Sequence, residues 1–362
     1  MAMATKNLLI ITQKVDANDD ILGFFHGWLR EFAKHWEKIT VICLFAGGSD
    51  LPANVKVLSL GKEKNNDGRR SSTVWQRIIY LFRFYRFLWQ ERKNYDAVFA
   101  HMNIEYVLLA GWLWRLLRKK VFLWYNHQTC RWPWYWGARW AEKVFYTSPF
   151  SFFSKYPSGR IMPAGIDADL FQPDSFVCPA KNSILYLGRI SPIKNIEILI
   201  DAAKVLKAQG QEFKMSIVGS PSAGHENYYE QLKELVDKSN LSEAISFFPG
   251  RPIKDLPAIY RQHQIFVNLT NSGSLDKTTL EALACGCLAL VSNRSFEQIF
   301  PDEYHEYRLF RPGDAVDLAA KLQTLWSISP ELLNEIKNEA REIAVRGHGL
   351  KVLAKRLKEE MP

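Results

Sequence analysis

The stretch "LYLGRISPIKNIEILIDAA" (185–203) places two cations, Arg189 and Lys194, in the turn between an apolar run that ends at Gly188 and a helical pattern that starts near Asn195. Fixed positive charge beside the N–H groups of a helix start suits a diphosphate. Two solvated basic loop residues have the same local pattern. In "TNSGSLDKTTLEALACGCLALVSN" (270–293), Asp276 can cap a helix whose first N–H groups, on Lys277, Thr278 and Thr279, form a second anion site. Glu281 admits two readings. Thr278-x-x-Glu281 before an apolar run fits a capping box, in which the carboxylate only satisfies a backbone N–H. Otherwise it accepts hydrogen bonds from paired hydroxyls, as on a ribose. "VGSP" (218–221), with Gly219, and "FFPGRPIKDL" (247–256), with Gly250, add glycine turns at strand ends. Together these turns would line one rim.

The first half offers fewer reactive groups. "DANDDILGFFHGWL" (16–29) puts Gly23 in the turn before an amphipathic helix, without the G-x-G-x-x-G of a dinucleotide site. "AHMN" and "WYNHQTCRW" each set a histidine, His101 and His127, just after an apolar strand. Either can reach a cleft or serve as a hydrogen-bonded rim residue. His127-x-x-Cys130 without a second cluster does not make a metal site.

The elements that must hold these residues follow from periodicity. Apolar strands are predicted at 7–12, 39–45, 55–60, 96–101, 120–127 and 143–148, with helices at 23–36, 73–93 and 105–118. The second half repeats the scheme. Its strands are predicted at 183–188, 214–220, 245–250, 265–270 and 287–293, with helices near 195–209, 225–239, 254–262 and 276–285. Further helices are expected near 314–326, 330–345 and 350–360, and "KEKNNDGRRSS" (62–72) as a solvated loop. Continuous β-branched runs separated by helices imply buried parallel sheets. The expected fold class is α/β: two doubly wound Rossmann-like units in tandem, with ligands at the carboxyl ends of the strands and in the cleft between the units.

Composition divides the chain near residue 172. Residues 1–172 carry 24 Lys+Arg against 14 Asp+Glu, and 173–362 carry 23 against 24. Eleven of the twelve tryptophans lie in the first part. A basic, tryptophan-rich half suggests an anionic partner surface. Aromatics and cations mix at 73–93, at 111–120 and in the aromatic loop "RWPWYWGARW" (131–140), and bilayer contact is the favoured reading. A core-covering helix with a basic edge is the alternative. Nucleic acid is not expected as a partner, because the charge follows no known motif. The five cysteines show no zinc or disulfide spacing and read as reduced thiols of a cytoplasmic protein. Leu8–Ile11 is too short for a signal sequence, and no apolar run approaches the roughly 18–20 residues of a membrane span.

Four patches in this order resemble retaining glycosyltransferases of the GT-B type, similar to glycosyltransferase family 4. They are "RIMPAGIDADLFQP" (160–173), "LYLGRISPIKNIEILIDAAKVL" (185–206), "ISFFPGRPIKDLPAIYRQHQIFVNLT" (245–270) and "TTLEALACGCLALVSN" (278–293). The first half matches the family only loosely. The resemblance implies an acceptor domain at 1–172, a nucleotide-sugar domain at 173–345, and a segment at 346–362 whose helix crosses back to the first domain. It implies that Arg189 and Lys194 hold the donor diphosphate and act with His127 in catalysis, that Gly188 and Gly219 line the donor site, that backbone at Arg251 and Pro252 meets the base, and that Glu281 holds the ribose. Gly273, Ser274, Leu275, Asp276, Lys277 and Thr278 would complete the donor site. His127 would lie near the transferred sugar, with His101 and Gly23 on the acceptor side and 163–171 as the hinge. The family has an E-x7-E motif, and Gly273 stands at the first glutamate position, with Asp276 and Lys277 as substitutes within reach. The implied chemistry is transfer from a nucleotide-diphosphate sugar, UDP-sugar first and GDP-sugar next, with no metal or cofactor. The acceptor would be lipid-linked or an envelope glycan, at the inner face of the membrane. A catalytically silent nucleotide-sugar binder and a sugar-nucleotide epimerase share the fold and are the alternatives.

Overall fold

A computed structural model describes residues 5–65, 73–270 and 273–361. The chain divides into two compact units, Met1–Gly165 with Leu350–Pro362, and Ile166–Gly349. The division thus falls between Gly165 and Ile166 rather than at the compositional step near 172.

The first unit contains β1 (Asn7–Val15), α1 (Phe24–Phe32), β2 (Lys38–Ala46), β3 (Val55–Ser59), α2 (Val74–Glu91), β4 (Ala97–His101), α3 (Ile104–Leu116), β5 (Lys120–Trp124), α4 (Trp132–Ala138), β6 (Lys143–Tyr146) and β7 (Gly159–Ile161). Among the described residues the strands form one sheet in the order β3-β2-β1-β4-β5-β6-β7, with every pairing parallel. Successive side chains of a strand point to opposite faces. Leu8 and Ile10 of β1 therefore join one core with α1, and Leu9 and Ile11 join the other with α2 and α3. This is the doubly wound arrangement that continuous apolar strands demand.

The second unit contains β8 (Ala180–Leu187), α5 (Ile196–Ala208), β9 (Lys214–Val218), α6 (Glu226–Lys238), β10 (Ile245–Phe248), α7 (Leu256–Arg261), β11 (His263–Asn268), α8 (Lys277–Ala284), β12 (Leu288–Val291), α9 (His305–Arg308), α10 (Ala315–Ser327) and α11 (Pro330–Glu342). Its strand order is β10-β9-β8-β11-β12, again parallel throughout. The order reverses beside β8, which makes the carboxyl ends of β8 and β11 the switch point where α/β sheets bind ligands.

The last helix, α12 (Leu350–Glu360), belongs to the first unit. Its Leu350, Leu353, Ala354 and Leu357 enter the core of α1. Lys143 pairs with Glu360 at 2.8 Å, and Trp28 Nε1 donates to the Gly165 carbonyl at 2.8 Å. Gly165 sits at φ +75, and a Cβ there would lie 2.5 Å from Leu353, so both conformation and space require glycine.

Several boundaries differ from the sequence reading. The aromatic segment 131–140 is helical over α4 rather than a loop, because Pro133 stands in the first turn, where proline favours a helix start. β5 stops at Trp124, so His127 lies beyond the strand. β7 is a three-residue edge strand too short to show a period. Of the loop expected at 62–72, Lys62–Asn65 forms a short 3-10 turn and the remainder lies outside the described residues.

Candidate functional site

The carboxyl edge of the second sheet is built from tight backbone. The Gly188 N–H donates to the Val218 carbonyl at 3.0 Å, and the Gly219 N–H to the Phe248 carbonyl at 3.0 Å. A Cβ on Gly219 would lie 1.9 Å from the Gly188 carbonyl oxygen, so no other residue fits there without moving the backbone. The chain then turns through Arg189 and the short helix Pro192–Lys194 to Asn195. Asn195 adopts the left-handed conformation (φ 50), which asparagine tolerates better than most residues, and its Nδ2 donates to the Leu269 carbonyl at 3.1 Å. That bond ties the start of α5 to the end of β11.

This turn gives the two cations different settings. Arg189 is exposed, and its guanidinium takes no hydrogen bond or ion pair among the described residues. Lys194 reaches across β11 instead. Its Nζ donates to Thr270 Oγ1 at 3.0 Å and to Asp276 Oδ1 at 3.3 Å. Asn268 Nδ2 holds the other oxygen of Asp276 at 2.8 Å and also Thr279 Oγ1 at 3.1 Å.

Asp276 occupies the N-cap position of α8, but its side chain makes no capping hydrogen bond. Its carboxylate faces Lys194 and Asn268 rather than the helix N–H groups. The capping-box reading of Glu281 does not survive. Because α8 starts at Lys277, Glu281 sits beyond the first turn and cannot serve as the third helical residue. It is buried, 5% exposed, and Tyr260 Oη donates to its Oε2 at 3.1 Å. Lys277 lies one turn earlier, with its Nζ shielded from solvent. Burial pushes the Glu281 carboxyl up to about 7, against the pull of Lys277 and the Tyr260 bond. Burial likewise holds the Lys277 ammonium well below its ordinary value, with Glu281 opposing.

A pH dependence follows. Glu281 binds its proton more tightly in the folded chain than in the unfolded one. Its contribution to stability is therefore present below the ordinary value of 4.5 and is lost as pH rises toward about 7. Lys277 acts in the opposite sense in both proteins, and since the Glu281 charge favours its protonated form, the coupling lost in Glu281→Gln adds to the difference in the same direction. The melting temperature of the unmodified protein, taken relative to Glu281→Gln, is expected to fall across that interval. Thermal melts of both proteins in matched buffers check this, and a flat difference contradicts it.

Residues 273–275, just before α8, are held in place. Gly273 and Leu275 are buried, and the Ser274 carbonyl accepts from Asn293 Nδ2 at 2.7 Å. Thr278 is half-buried in the first turn. Beyond β10, Gly250 N–H donates to Ser220 Oγ at 3.2 Å, and Arg251 and Pro252 follow. Arg251 borders a pocket of about 330 Å³ whose lining includes Val218, Phe248, Ser216 and His263. His263 Nε2 lies 2.8 Å from Ser216 Oγ, and burial lowers the imidazole value.

The residues expected on the acceptor side all lie in the first unit. Gly23 precedes α1, and a Cβ there would lie 2.4 Å from the Asp19 carbonyl oxygen. His127 is exposed, its ring edge-on to Tyr125 at 5.3 Å. His101 is 5% exposed, stacked on Phe25 at 4.3 Å and edge-on to Trp28 at 5.5 Å. It is part of an aromatic cluster rather than an open rim residue.

The structure thus gathers Gly188, Lys194, Gly219, Asp276, Lys277 and Glu281 at one sheet edge. It adds Asn195, Asn268, Thr270, Tyr260 and Asn293, which sequence reasoning passed over. Asn268 left one usable signal, a polar residue closing the apolar run "IFVNLT". Tyr260 left none, because its partner lies on another helix.

Residues 171–343 match the family described as Glycosyl transferases group 1. The D-inositol 3-phosphate glycosyltransferase of Acidothermus cellulolyticus is 26% identical over 139 residues, which cover 35% of this chain and 31% of that protein. Its namesake from Salinispora arenicola is 30% identical over 107 residues, 28% of this chain and 24% of that protein. This chain therefore spans no more than about a third of the curated relatives it matches. Solved structures match almost throughout. Anabaena HepE, in complex with UDP and glucose, superposes with a TM-score of 0.77 at 15% identity, covering 98% of this chain and 99% of that one. Sucrose-phosphate synthase from Thermosynechococcus elongatus gives 0.75 at 18% identity, covering 98% of each chain. These likenesses are of fold, and the fold is GT-B.

Proposed function

We propose, from a GT-B fold whose residues 171–343 match the group 1 glycosyl transferases, that this protein transfers a sugar from a nucleotide-diphosphate sugar to a lipid-linked or envelope-glycan acceptor at the cytoplasmic face of a membrane. The observation that carries the reading is the convergence of Lys194 and Asp276 with buried Glu281 at the sheet's switch point. Arg189 is exposed in the adjoining turn.

In this reading the donor diphosphate lies against Arg189, Lys194 and the N-terminus of α8. Glu281, held by Tyr260, accepts from the ribose hydroxyls, and the pocket beside Arg251 takes the base. A UDP-sugar is the favoured donor, supported by the UDP and glucose bound to HepE. Charge develops on the leaving diphosphate, and fixed cations stabilise it without reorganising. The leaving phosphate takes the acceptor proton on the same face, which retains the anomeric configuration. No divalent metal is assigned a role, since Arg189 and Lys194 supply the positive charge. Asp276 binds Lys194 until the diphosphate competes for it. A silent nucleotide-sugar binder is the second reading, favoured by Gly273 at the position of the family's first glutamate.

The test is a thermal-shift titration with UDP, GDP, dTDP and ADP and their sugar conjugates. One nucleotide is expected to stabilise the unmodified protein and to lose that effect in Arg189→Ala and Glu281→Ala. Folded protein that responds to none of them overturns the donor site. Nucleotide binding with no turnover of any sugar conjugate leaves the silent reading in place.

A further inference from the structure

We propose that the outer faces of α2, α3 and α4 form one docking surface for an anionic lipid bilayer. The inference deepens the acceptor side of the proposed function, but its evidence lies in the first unit alone.

α2 is apolar on two sides. Tyr80, Phe84 and Leu88 point into the core at intervals of four residues. On the opposite side Trp75 is 76% exposed and Phe82 70% exposed, with Ile78, Ile79 and Trp89 also exposed between and beyond them. A surface helix that covers a core needs one apolar stripe, and its outer face is ordinarily polar. The second stripe on α2 is left largely exposed among the described residues.

The same feature continues onto the neighbouring helices. On α3, Trp112 and Leu116 are exposed, and on α4, Trp132 and Trp136. α2, α3 and α4 contribute buried residues to one core on the same face of the sheet, so their outer sides face the same way. Tyr85 Oη donates to the Leu109 carbonyl at 2.7 Å, joining α2 to α3. α3 and α4 are adjoining elements, and Trp140, just past α4, packs against Gly111 of α3. Among its described residues the second unit shows no counterpart. Its exposed large apolar residues, such as Phe176, Ile193 and Val316, are far apart in sequence, and its single tryptophan is Trp326.

Charge selects the occupant. Residues 73–140 hold eleven Lys+Arg and three Asp+Glu. Of those acidic residues, Glu91 is buried and paired with Lys56 at 2.7 Å. Asp96 accepts from the backbone N–H groups of Lys6 and Asn7. Arg77, Arg86, Arg115 and Arg118 are exposed among the aromatic residues. Among the described residues three guanidinium groups lie over indole rings: Arg92 on Trp89 at 4.2 Å, Arg139 on Trp136 at 5.0 Å and Arg115 on Trp140 at 6.0 Å. Indoles with adjacent cations suit the headgroup level, where the ring enters the acyl boundary and the charge meets phosphate. A second copy of this face would instead set cation against cation. Among the described residues no helix is long and apolar enough to cross a membrane, so contact would be peripheral.

The experiment is vesicle flotation of the full chain at moderate salt. It uses phosphatidylcholine alone and phosphatidylcholine mixed with phosphatidylglycerol. Binding is expected only with the anionic lipid. Trp75→Ser with Phe82→Ser, and separately Arg77→Glu with Arg86→Glu, should each lower the partition coefficient roughly tenfold or more. Circular dichroism shows whether these exposed substitutions leave the fold intact. Absence of binding, or equal binding to both vesicle types, overturns the proposal. So does a concentration-dependent dimer that Trp75→Ser with Phe82→Ser disperses while vesicles stay bare, because the partner is then a second copy. Thermal shift with UDP on the same variants separates this outcome from failure of the donor site, which is proposed on residues of the second unit.

Discussion

Replacing Lys194 with alanine is expected to lower kcat for sugar transfer by about 10²–10³-fold, the magnitude typical of losing one preorganised group that stabilises developing charge. Arg189→Ala should fall in the same range, but for a simpler reason. Arg189 is exposed and unengaged among the described residues, so its removal deletes a cation and little else. Lys194 also neutralises Asp276 at 3.3 Å. Without it, the Asp276 carboxylate loses its counter-charge at the proposed diphosphate site, and repulsion would add to the lost attraction. Lys194→Ala should therefore raise KM for the donor more than Arg189→Ala does. Steady-state kinetics on both variants measures the split. Adding Asp276→Ala to Lys194→Ala should recover part of the KM effect, because it removes the stranded charge. If both single variants turn over like the unmodified protein, the cations do not face the leaving group.

Glu281→Ala carries the second large effect, on donor affinity and on stability together. A carboxylate that accepts from two ribose hydroxyls makes charge-assisted hydrogen bonds of about 1.5–3 kcal/mol each, so affinity for the nucleoside diphosphate should fall at least roughly a hundredfold. The same substitution leaves the Tyr260 hydroxyl without its acceptor in a site where Tyr260 is fully buried. An unsatisfied buried donor costs about 1–3 kcal/mol. Lys277 also loses the Glu281 charge that favours its protonated form. Glu281→Gln separates the two effects, because the amide oxygen can still accept from Tyr260 while the charge is gone. Calorimetric titration with the nucleotide and thermal melts on both variants distinguish them. If Glu281→Gln binds the nucleotide like the unmodified protein while Glu281→Ala only melts earlier, the carboxylate is a structural residue.

These expectations show how unevenly the site was legible. Arg189 and Lys194 stood out because a glycine at the end of an apolar strand, followed by two cations and a helix, is a local pattern. Their different settings were not local. Lys194 is engaged only because β11 pairs beside β8 and brings Thr270 and Asp276 within reach. Glu281 was ambiguous for a related reason. One position decides whether Thr278-x-x-Glu281 is a capping box, and helix starts are the least legible part of a helix. His101 looked like a rim residue from its place at a strand end, and only the packing of α1 over β4 encloses it.

The sequence by itself determined most of the order of strands and helices in both units, α4, β7 and the short α9 excepted, because continuous apolar runs and 3.6-residue burial are written residue by residue. It also determined the asymmetry of charge and tryptophan between the halves. The tertiary structure decided which groups meet: Glu281 with Tyr260, Asp276 with Lys194 rather than its own helix, and α12 with α1. It also decided that the apolar stripe of α2 carrying Trp75 and Phe82 faces outward, since both stripes of that helix are apolar and only packing selects between them. Local pattern records what each residue needs, while its partner is supplied by strand order and helix packing across long separations in the chain.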